Sequence, residues 1–350
     1  MDWTERLIAW YEENKRALPW RESKDPYRVW LSEIILQQTR VEQGLSYYVD
    51  FLERFPTIQD LAAADETQVL KAWQGLGYYS RARNLHHTAK YVCEHYAGHF
   101  PTTFEALKEL KGIGDYTASA IASICFYVPE PVIDGNVYRF FSRYFGIHTP
   151  IGTASALKVY KKKGYEFISH SKPDTFNQAI MEFGARQCKP QNPNCENCIF
   201  NSSCYAFLNE KVNALPIKIN RTKIKNRYLN YVVVQTPSSK TILEQRKEKG
   251  IWHKLYQFPV IEFSQKRVSK HAIETHEHFQ ALISSSAYSL KRWNKNPILH
   301  KLSHQHLYIR FWILSTEKEI PDAIAIQTLL KLPVPIVLEK FIEDFFCSLK

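Results

Sequence analysis

The sequence predicts a two-domain protein, an all-helical unit followed by a mixed α+β unit. Three observations carry that expectation. A chain of 350 residues is too long for one small module and fits about two domains. From Met1 to about Lys211, helix caps, breakers and helical apolar spacing recur with few β-branched alternations. Beyond Tyr228, short runs rich in Val, Ile, Tyr, Phe and Trp take over. With 45% hydrophobic and 23% charged residues, both parts can bury real cores.

Along the chain, Asp25-Pro26 is a helix start, an N-cap acceptor followed by proline at the first helical position, and the helix is expected to run through Thr39. Ala62 to Trp73 and Thr117 to Tyr127 also carry helical apolar spacing. Residues 1–212 make the first domain. Residues 213–227 are basic and proline-interrupted without a clear period, which predicts a linker. Residues 228–350 form the second domain, with strands expected over Tyr228–Gln235, Thr241–Gln245 and His306–Leu314. Helices are expected over Asp322–Lys331 and Pro335–Leu349. No internal repeat is present.

The 46 Lys and Arg against 35 Asp and Glu leave a formal charge of +11, which draws polyanions such as nucleic acid. No run of about 18 apolar residues occurs, and the opening Met1-Asp2-Trp3-Thr4-Glu5 lacks the cationic-then-apolar pattern of a secretory signal. A membrane span and secretion are therefore not expected. Of seven cysteines, Cys188, Cys195, Cys198 and Cys204 fall within one short stretch, spaced C-x6-C-x2-C-x5-C. That clustering points to a metal centre and not to a disulfide framework. Spacing alone leaves zinc and an iron–sulfur cluster both open.

Two carboxylates stand out. Glu33 has Val29, Trp30, Leu36 and Gln37 as its neighbours three and four residues away, so its side chain projects among largely apolar groups. Desolvation there raises a carboxyl pKa and makes a proton donor near neutral pH, although a buried glutamate satisfied by a backbone or Arg partner fits the same pattern. Asp134, in Val132-Ile133-Asp134-Gly135-Asn136-Val137, reads as an N-cap whose backbone N–H partners lower its pKa. One carboxyl kept protonated and one kept ionised is the layout that cleavage through an oxocarbenium-like state requires.

In Leu110-Lys111-Gly112-Ile113-Gly114-Asp115-Tyr116-Thr117-Ala118, Gly112 and Gly114 sit in a tight turn before a helix, where backbone N–H groups can approach a phosphate. A plain helix–turn–helix corner has the same signature. Gly75 to Arg83 adds glycines, adjacent tyrosines and two arginines, which suit a distorted duplex or a packed helix corner.

Taken together, Ser32-Glu33-Ile34-Ile35-Leu36-Gln37-Gln38-Thr39, the Gly112–Gly114 hairpin, Val132-Ile133-Asp134-Gly135-Asn136-Val137 and the cysteine tail resemble the adenine DNA glycosylases of the MutY type. These belong to the helix–hairpin–helix superfamily shared with endonuclease III. The resemblance implies an all-α helix–hairpin–helix glycosylase domain holding a [4Fe–4S] cluster on the four cysteines, followed by an α+β Nudix-like (MutT-like) domain. It also implies hydrolysis of the N-glycosidic bond of adenine mispaired with 8-oxoguanine or G in double-stranded DNA, after the base leaves the stack. Glu33 would protonate adenine N7, Asp134 would stabilise the sugar cation, and Tyr116 and Asn136 would complete the site. Trp20, Arg21 and Gln178 would lie near the adenine, and Gln38 and Tyr78 at the unstacked duplex.

The bifunctional relatives carry a lysine nucleophile where this chain has Tyr116, so a monofunctional enzyme is expected. In the second domain Gly250-Ile251-Trp252 to Phe258-Pro259 resembles the Nudix-like fold, but Val260 to Gln280 lack its metal box, so pyrophosphate hydrolysis is not expected. The family's Phe-Ser-His lesion-sensing loop corresponds to Leu302-Ser303-His304, with Leu302 in place of the aromatic. A His271, His276 and His278 cluster is expected to be a solvated loop. An endonuclease III-like lyase on oxidised pyrimidines and a mismatch sensor without turnover are the competing functions. A monomer on nucleoid DNA in a bacterial cytoplasm completes the expectation.

Overall fold

The computed structural model describes residues 2–168, 172–219, 224–283 and 287–347. The chain divides into two compact units, Met1–Ala63 with Asn84–Asn220, and Ala64–Arg83 with Arg221–Lys350.

Helices of the first half are α1 (Trp3–Asn14), α2 (Pro26–Leu36), α3 (Val41–Arg54), α4 (Ile58–Ala63), α5 (Glu66–Ala72), α6 (Ser80–Tyr96), α7 (Phe104–Glu109), α8 (Asp115–Phe126), α9 (Gly135–Phe145), α10 (Ala154–Tyr165), α11 (Pro173–Arg186) and α12 (Tyr205–Leu208). Asp25 caps α2 through Tyr27 N, with Pro26 at the first position, as the sequence requires. The helix stops at Leu36, three residues short of the expected Thr39, and Gln38 beyond it takes a left-handed φ of 60°. The expected helix over Ala62–Trp73 is instead broken, because Asp65 ends α4 and opens α5 with a capping box. In the first unit, α9 and α11 pack on α1 through Leu7, Tyr11, Val137, Phe140, Phe176 and Phe183. At Gly184 a Cβ would stand 2.7 Å from the carbonyl oxygen of Asn136, so a glycine is what lets α11 approach the start of α9.

The stretch expected to be a linker, 213–227, is structured at both ends. Leu215 is buried, Ile151 pairs with Lys218 in an isolated bridge, and Lys225–Arg227 already belong to β1. The backbone carbonyls of Val212 and Leu215 accept Arg143 Nε, a long-range contact that no local composition reveals. Residues 220–223 of that linker lie outside the described residues.

The second unit holds β1 (Lys225–Gln235), β2 (Lys240–Thr241), β3 (Glu244–Gln245), β4 (Tyr256–Gln257), β5 (Val260–Phe263), α13 (Lys270–Glu274), α14 (Glu277–Ile283), β6 (Tyr288–Arg292), β7 (Ile298–Lys301), β8 (Gln305–Thr316), β9 (Ile324–Ala325), α15 (Ile326–Leu329) and α16 (Ile336–Ile342). Its main sheet runs β5-β1-β8-β6, with β7 also on β8. β1 and β8 are parallel in the register Tyr231↔Phe311, and the other pairs are antiparallel. Val232, Val234, Trp312 and Leu314 face Ile273 and Phe279 of the two short helices, and Phe311 stacks on Phe341 of α16 at 3.8 Å.

The single strand expected over Thr241–Gln245 is two short ones with different partners, β2 on β9 and β3 on β4. Likewise the helix expected over Asp322–Lys331 gives way to β9 and one turn, after a left-handed Asp322. The helix expected over Pro335–Leu349 is α16 followed by a π turn to Cys347, and its last two residues lie outside the described residues. No helix among the described residues is long and apolar enough to cross a membrane.

Candidate active site

All of α2 from Val29 to Ile35 is buried, so Glu33 is carried into the first unit by a helix whose middle is apolar apart from Ser32 and Glu33 itself. It is 7% exposed. The Tyr116 hydroxyl, in the first turn of α8, donates to Glu33 Oε2 at 2.5 Å. Burial raises the Glu33 carboxyl to about 7 against the lowering pull of that hydrogen bond, with Asp134 raising it and Arg21 lowering it. The expected rise of its pKa by desolvation is therefore met. Tyr116, buried beside two carboxyls, is held well above an ordinary phenol and stays a proton-bearing donor.

The turn that aims α8 needs glycine: Gly112 has φ +84°, and a Cβ there would meet the Asn84 Cβ at 2.7 Å. Gly114 is the N-cap of α8. Both lie in the hairpin turn between α7 and α8, as expected.

Asp134 is the N-cap of α9. Its Oδ1 accepts Asn136 N at 2.9 Å and Val137 N at 2.7 Å, and its Oδ2 accepts Asn136 Nδ2 at 2.6 Å. The expected lowering of its pKa does not follow. Burial outweighs the hydrogen bonds of Val137 and Asn136 and the charge of Arg139, so the carboxyl is raised. The capping motif showed the donors and not the depth. What separates the two acids is their partners: Asp134 takes three N–H donors that favour its charged form, Glu33 a single hydroxyl.

These residues share one cavity of about 420 Å3, within the size range of small-molecule sites. Trp20, Arg21, Glu33, Tyr116, Asp134, Asn136 and Gln178 all line it. The 3-10 turn Pro19–Arg21 supplies the first two and α11 the last, whose Oε1 accepts the Tyr11 hydroxyl at 2.9 Å. Gln38 is not part of that lining. Sequence reasoning missed Arg16, Met181 and Glu182, which line it too. Glu182, four residues after Gln178 and on the same face of α11, was the available signal.

In the second unit Tyr78, Ser303 and His304 line another cavity of about 480 Å3 with Arg83, Arg227 and Trp252. The Tyr78 and Ser303 hydroxyls are hydrogen-bonded to each other, and Leu302 N donates to Gln305 O at 2.8 Å to close the loop. His271 and His278 lie on α13 and α14 and not in a loop as expected. His278 Nε2 meets Glu244 Oε1 at 3.0 Å and its Nδ1 faces Val260 O at 3.3 Å, because the short helices pack on the sheet.

Cys188, Cys195, Cys198 and Cys204 line a cavity of about 30 Å3 with Phe140, Phe183, Phe200 and Phe207. Arg143 Nη1 donates to Cys188 Sγ at 3.5 Å. Among the described residues, no three His, Cys, Asp or Glu side chains are drawn together round a single metal ion.

This architecture has known counterparts. Residues 31–162 match the HhH-GPD superfamily of base excision DNA repair proteins, and residues 230–344 match the NUDIX domain. A thermostable thymine-DNA glycosylase superposes on 59% of this chain and 95% of its own, with a TM-score of 0.54 at 25% identity. A trapped endonuclease III–DNA covalent intermediate covers 59% and 94%, with a TM-score of 0.52 at 20% identity, a likeness of fold alone. Fold and site thus define a helix–hairpin–helix DNA glycosylase that carries a Nudix-like domain.

Full-length relatives narrow the class. An adenine DNA glycosylase of Buchnera aphidicola subsp. Baizongia pistaciae is 34% identical over 88% of this chain and 85% of its own length. Another, of Buchnera aphidicola subsp. Acyrthosiphon pisum, is 32% identical over 97% of both, and one of Rattus norvegicus is 31% identical over 90% of this chain and 70% of its own length. The chain belongs to the adenine DNA glycosylases, enzymes of base excision repair that hydrolyse N-glycosidic bonds.

Proposed function

We propose that the protein hydrolyses the N-glycosidic bond of adenine mispaired with 8-oxoguanine, and with G, in double-stranded DNA, and that it does not cut the strand. The observation that carries this reading is the shared cavity in which Glu33, raised to about 7 and bonded to Tyr116, faces Asp134. Glu33 gives its proton to adenine N7. As the C1′–N9 bond breaks, its electron pair leaves with the base, and the positive charge left on the sugar is stabilised by the Asp134 carboxylate. Water then adds to C1′ and loses a proton.

Asn136 holds Asp134, and Trp20, Arg21 and Gln178 form the walls against the extruded adenine. Gln38 and Tyr78 fill the unstacked duplex, Gly112 and Gly114 offer backbone N–H groups to a phosphate, and Ser303 and His304 read the lesion. The assignment divides the chain into a glycosylase domain over 1–212, a connector over 213–227 and a lesion-recognition domain over 228–350. A monomer acting on nucleoid DNA in the cytoplasm fits it.

The cysteine cavity fits a [4Fe–4S] cluster: its donors are all sulfur, its walls are aromatic, and Arg143 brings N–H groups and positive charge to it. Cys188, Cys195, Cys198 and Cys204 would hold the cluster, which when bound supplies four thiolate bonds that tie residues 188–204 into the fold. The chain's own contribution is Arg143, whose guanidinium also holds the Lys189 carbonyl at 2.7 Å.

Lyase chemistry needs an amine to form a Schiff base, and the corresponding position holds Tyr116, whose hydroxyl is engaged with Glu33. A single-turnover assay on a duplex with adenine opposite 8-oxoguanine tests the reading. The adenine strand is expected to break only after alkali, and borohydride to trap no substantial covalent adduct. A high yield of trapped adduct, or activity confined to thymine glycol, would favour the endonuclease III-like lyase.

Replacing Ser303 and His304 together by Ala is expected to lower the rate on 8-oxoguanine:A relative to G:A by roughly tenfold, one good polar contact being worth about 1.5 kcal/mol. Equal loss on both substrates would remove these residues from lesion reading.

A further inference from the structure

We infer that Glu182 is a positioning residue of this reaction, fixing the Arg21 guanidinium in the wall of the Glu33 cavity and cancelling its charge there. The inference rests on Glu33 being the proton donor.

Glu182 is 1% exposed, and both of its oxygens are spent on arginines. Its Oε1 accepts Arg16 N at 3.1 Å and Arg16 Nε at 2.8 Å, while Oε2 accepts Arg16 Nη2 and Arg21 Nη2, each at 2.7 Å. The Arg21 Nη1 donates back to Arg16 O at 3.1 Å. Arg21 also lies over the Tyr11 ring at 5.7 Å, and Tyr11 in turn binds Gln178, one turn before Glu182 on α11. One helix turn therefore fixes both Gln178 and Arg21.

The two arginines are not equivalent. Both line the cavity, but Arg16 has 32% of its side chain exposed and is screened by water, whereas Arg21 has 16% exposed and is the arginine whose charge acts on Glu33. Against the rise that burial imposes, hydrogen bonds from Arg16 and Arg21 hold the Glu182 carboxyl down at about 2, so it is ionised wherever the enzyme works. Left uncompensated, the Arg21 charge would favour ionised Glu33 and so remove the proton that the reaction needs. The other groups facing Glu33 are Tyr116 and Cys125 on α8 and Asp134 at the start of α9, with Arg40 and Glu42 lining the same cavity near α3. None of these is altered by replacing Glu182.

The test is the pH dependence of the single-turnover rate of the full chain on a duplex with adenine opposite 8-oxoguanine. In the wild type the rate falls as pH rises through the Glu33 pKa. Glu182→Gln is expected to move that fall to lower pH by about half a unit to one unit. Glu182→Asp, which keeps the charge, is expected to restore the wild-type midpoint at a reduced rate. Arg21→Gln leaves Glu182 paired with Arg16 and is expected to move the midpoint upward; it also serves where Glu182→Gln does not fold.

A midpoint unmoved in Arg21→Gln, or in a folded Glu182→Gln, overturns the inference, because a merely structural salt bridge changes rate and stability without moving a titration. A Glu33→Gln variant that keeps its rate overturns the proton-donor reading itself, and is recognised separately.

Discussion

Glu33→Gln is expected to lower the single-turnover rate of adenine release by roughly a thousandfold, the usual weight of a general acid. The amide keeps the shape and can still accept the Tyr116 hydroxyl bond, so the loss reports the missing proton and not a collapsed cavity. The same substitution should stabilise the fold at alkaline pH. In the folded chain burial moves Glu33 from an ordinary 4.5 to about 7. A group raised in this way favours the fold below its unfolded pKa, and that contribution is lost as pH rises from about 4.5 through about 7. At about 1.4 kcal/mol per unit, the wild type carries a penalty of about 3 kcal/mol at pH 8 that a glutamine does not. Glu33→Gln should therefore melt several degrees above the wild type at pH 8 and together with it near pH 4.5. Equal melting temperatures at both pH values would mean that Glu33 titrates like a surface carboxylate, and an unchanged rate would remove it from the chemistry.

Arg143→Met should cost about 3 kcal/mol or more in urea unfolding. Arg143 is 3% exposed, and its guanidinium binds the carbonyls of Val212 and Leu215 through Nε, of Lys189 through Nη1 and of Pro190 through Nη2, besides Cys188 Sγ. One planar fork thus ties the start of the cysteine loop to the segment that follows it, and methionine strands these acceptors. Arg143→Lys should recover only part of the loss, since an ammonium is a point donor without the fork. A change below about 1 kcal/mol for Arg143→Met would show that water replaces these bonds at no cost.

How much of this was legible in the sequence depends on the range of the interaction concerned. Glu33 was legible because its cue is local, a carboxylate among apolar neighbours on its own helix. Gly112 and Gly114, the Asp25 cap and the Asp134 cap were legible for the same reason. The direction of the Asp134 shift was not, because depth is set by the helices packed around it. Glu182 escaped notice because its partners, Arg16 and Arg21, stand 166 and 161 residues away in the chain. The strands β2, β3 and β9 are two residues long, too short for any alternation to register.

The compact unit that contains the sheet begins not at Arg221 but with Ala64–Arg83. There Lys254 Nζ pairs with Glu66 Oε2 at 2.5 Å, Gln74 Oε1 accepts Val334 N at 2.9 Å, the Tyr79 hydroxyl reaches Val334 O at 3.4 Å and Arg83 binds His253 O at 2.9 Å. Inheritance and folding therefore draw the border in different places. A fragment starting after residue 220 would lack a share of its own body, and one ending there would keep a helical segment stripped of its partners. For truncation or domain exchange, a scissor cut between the two sequence families therefore still tears one folded body.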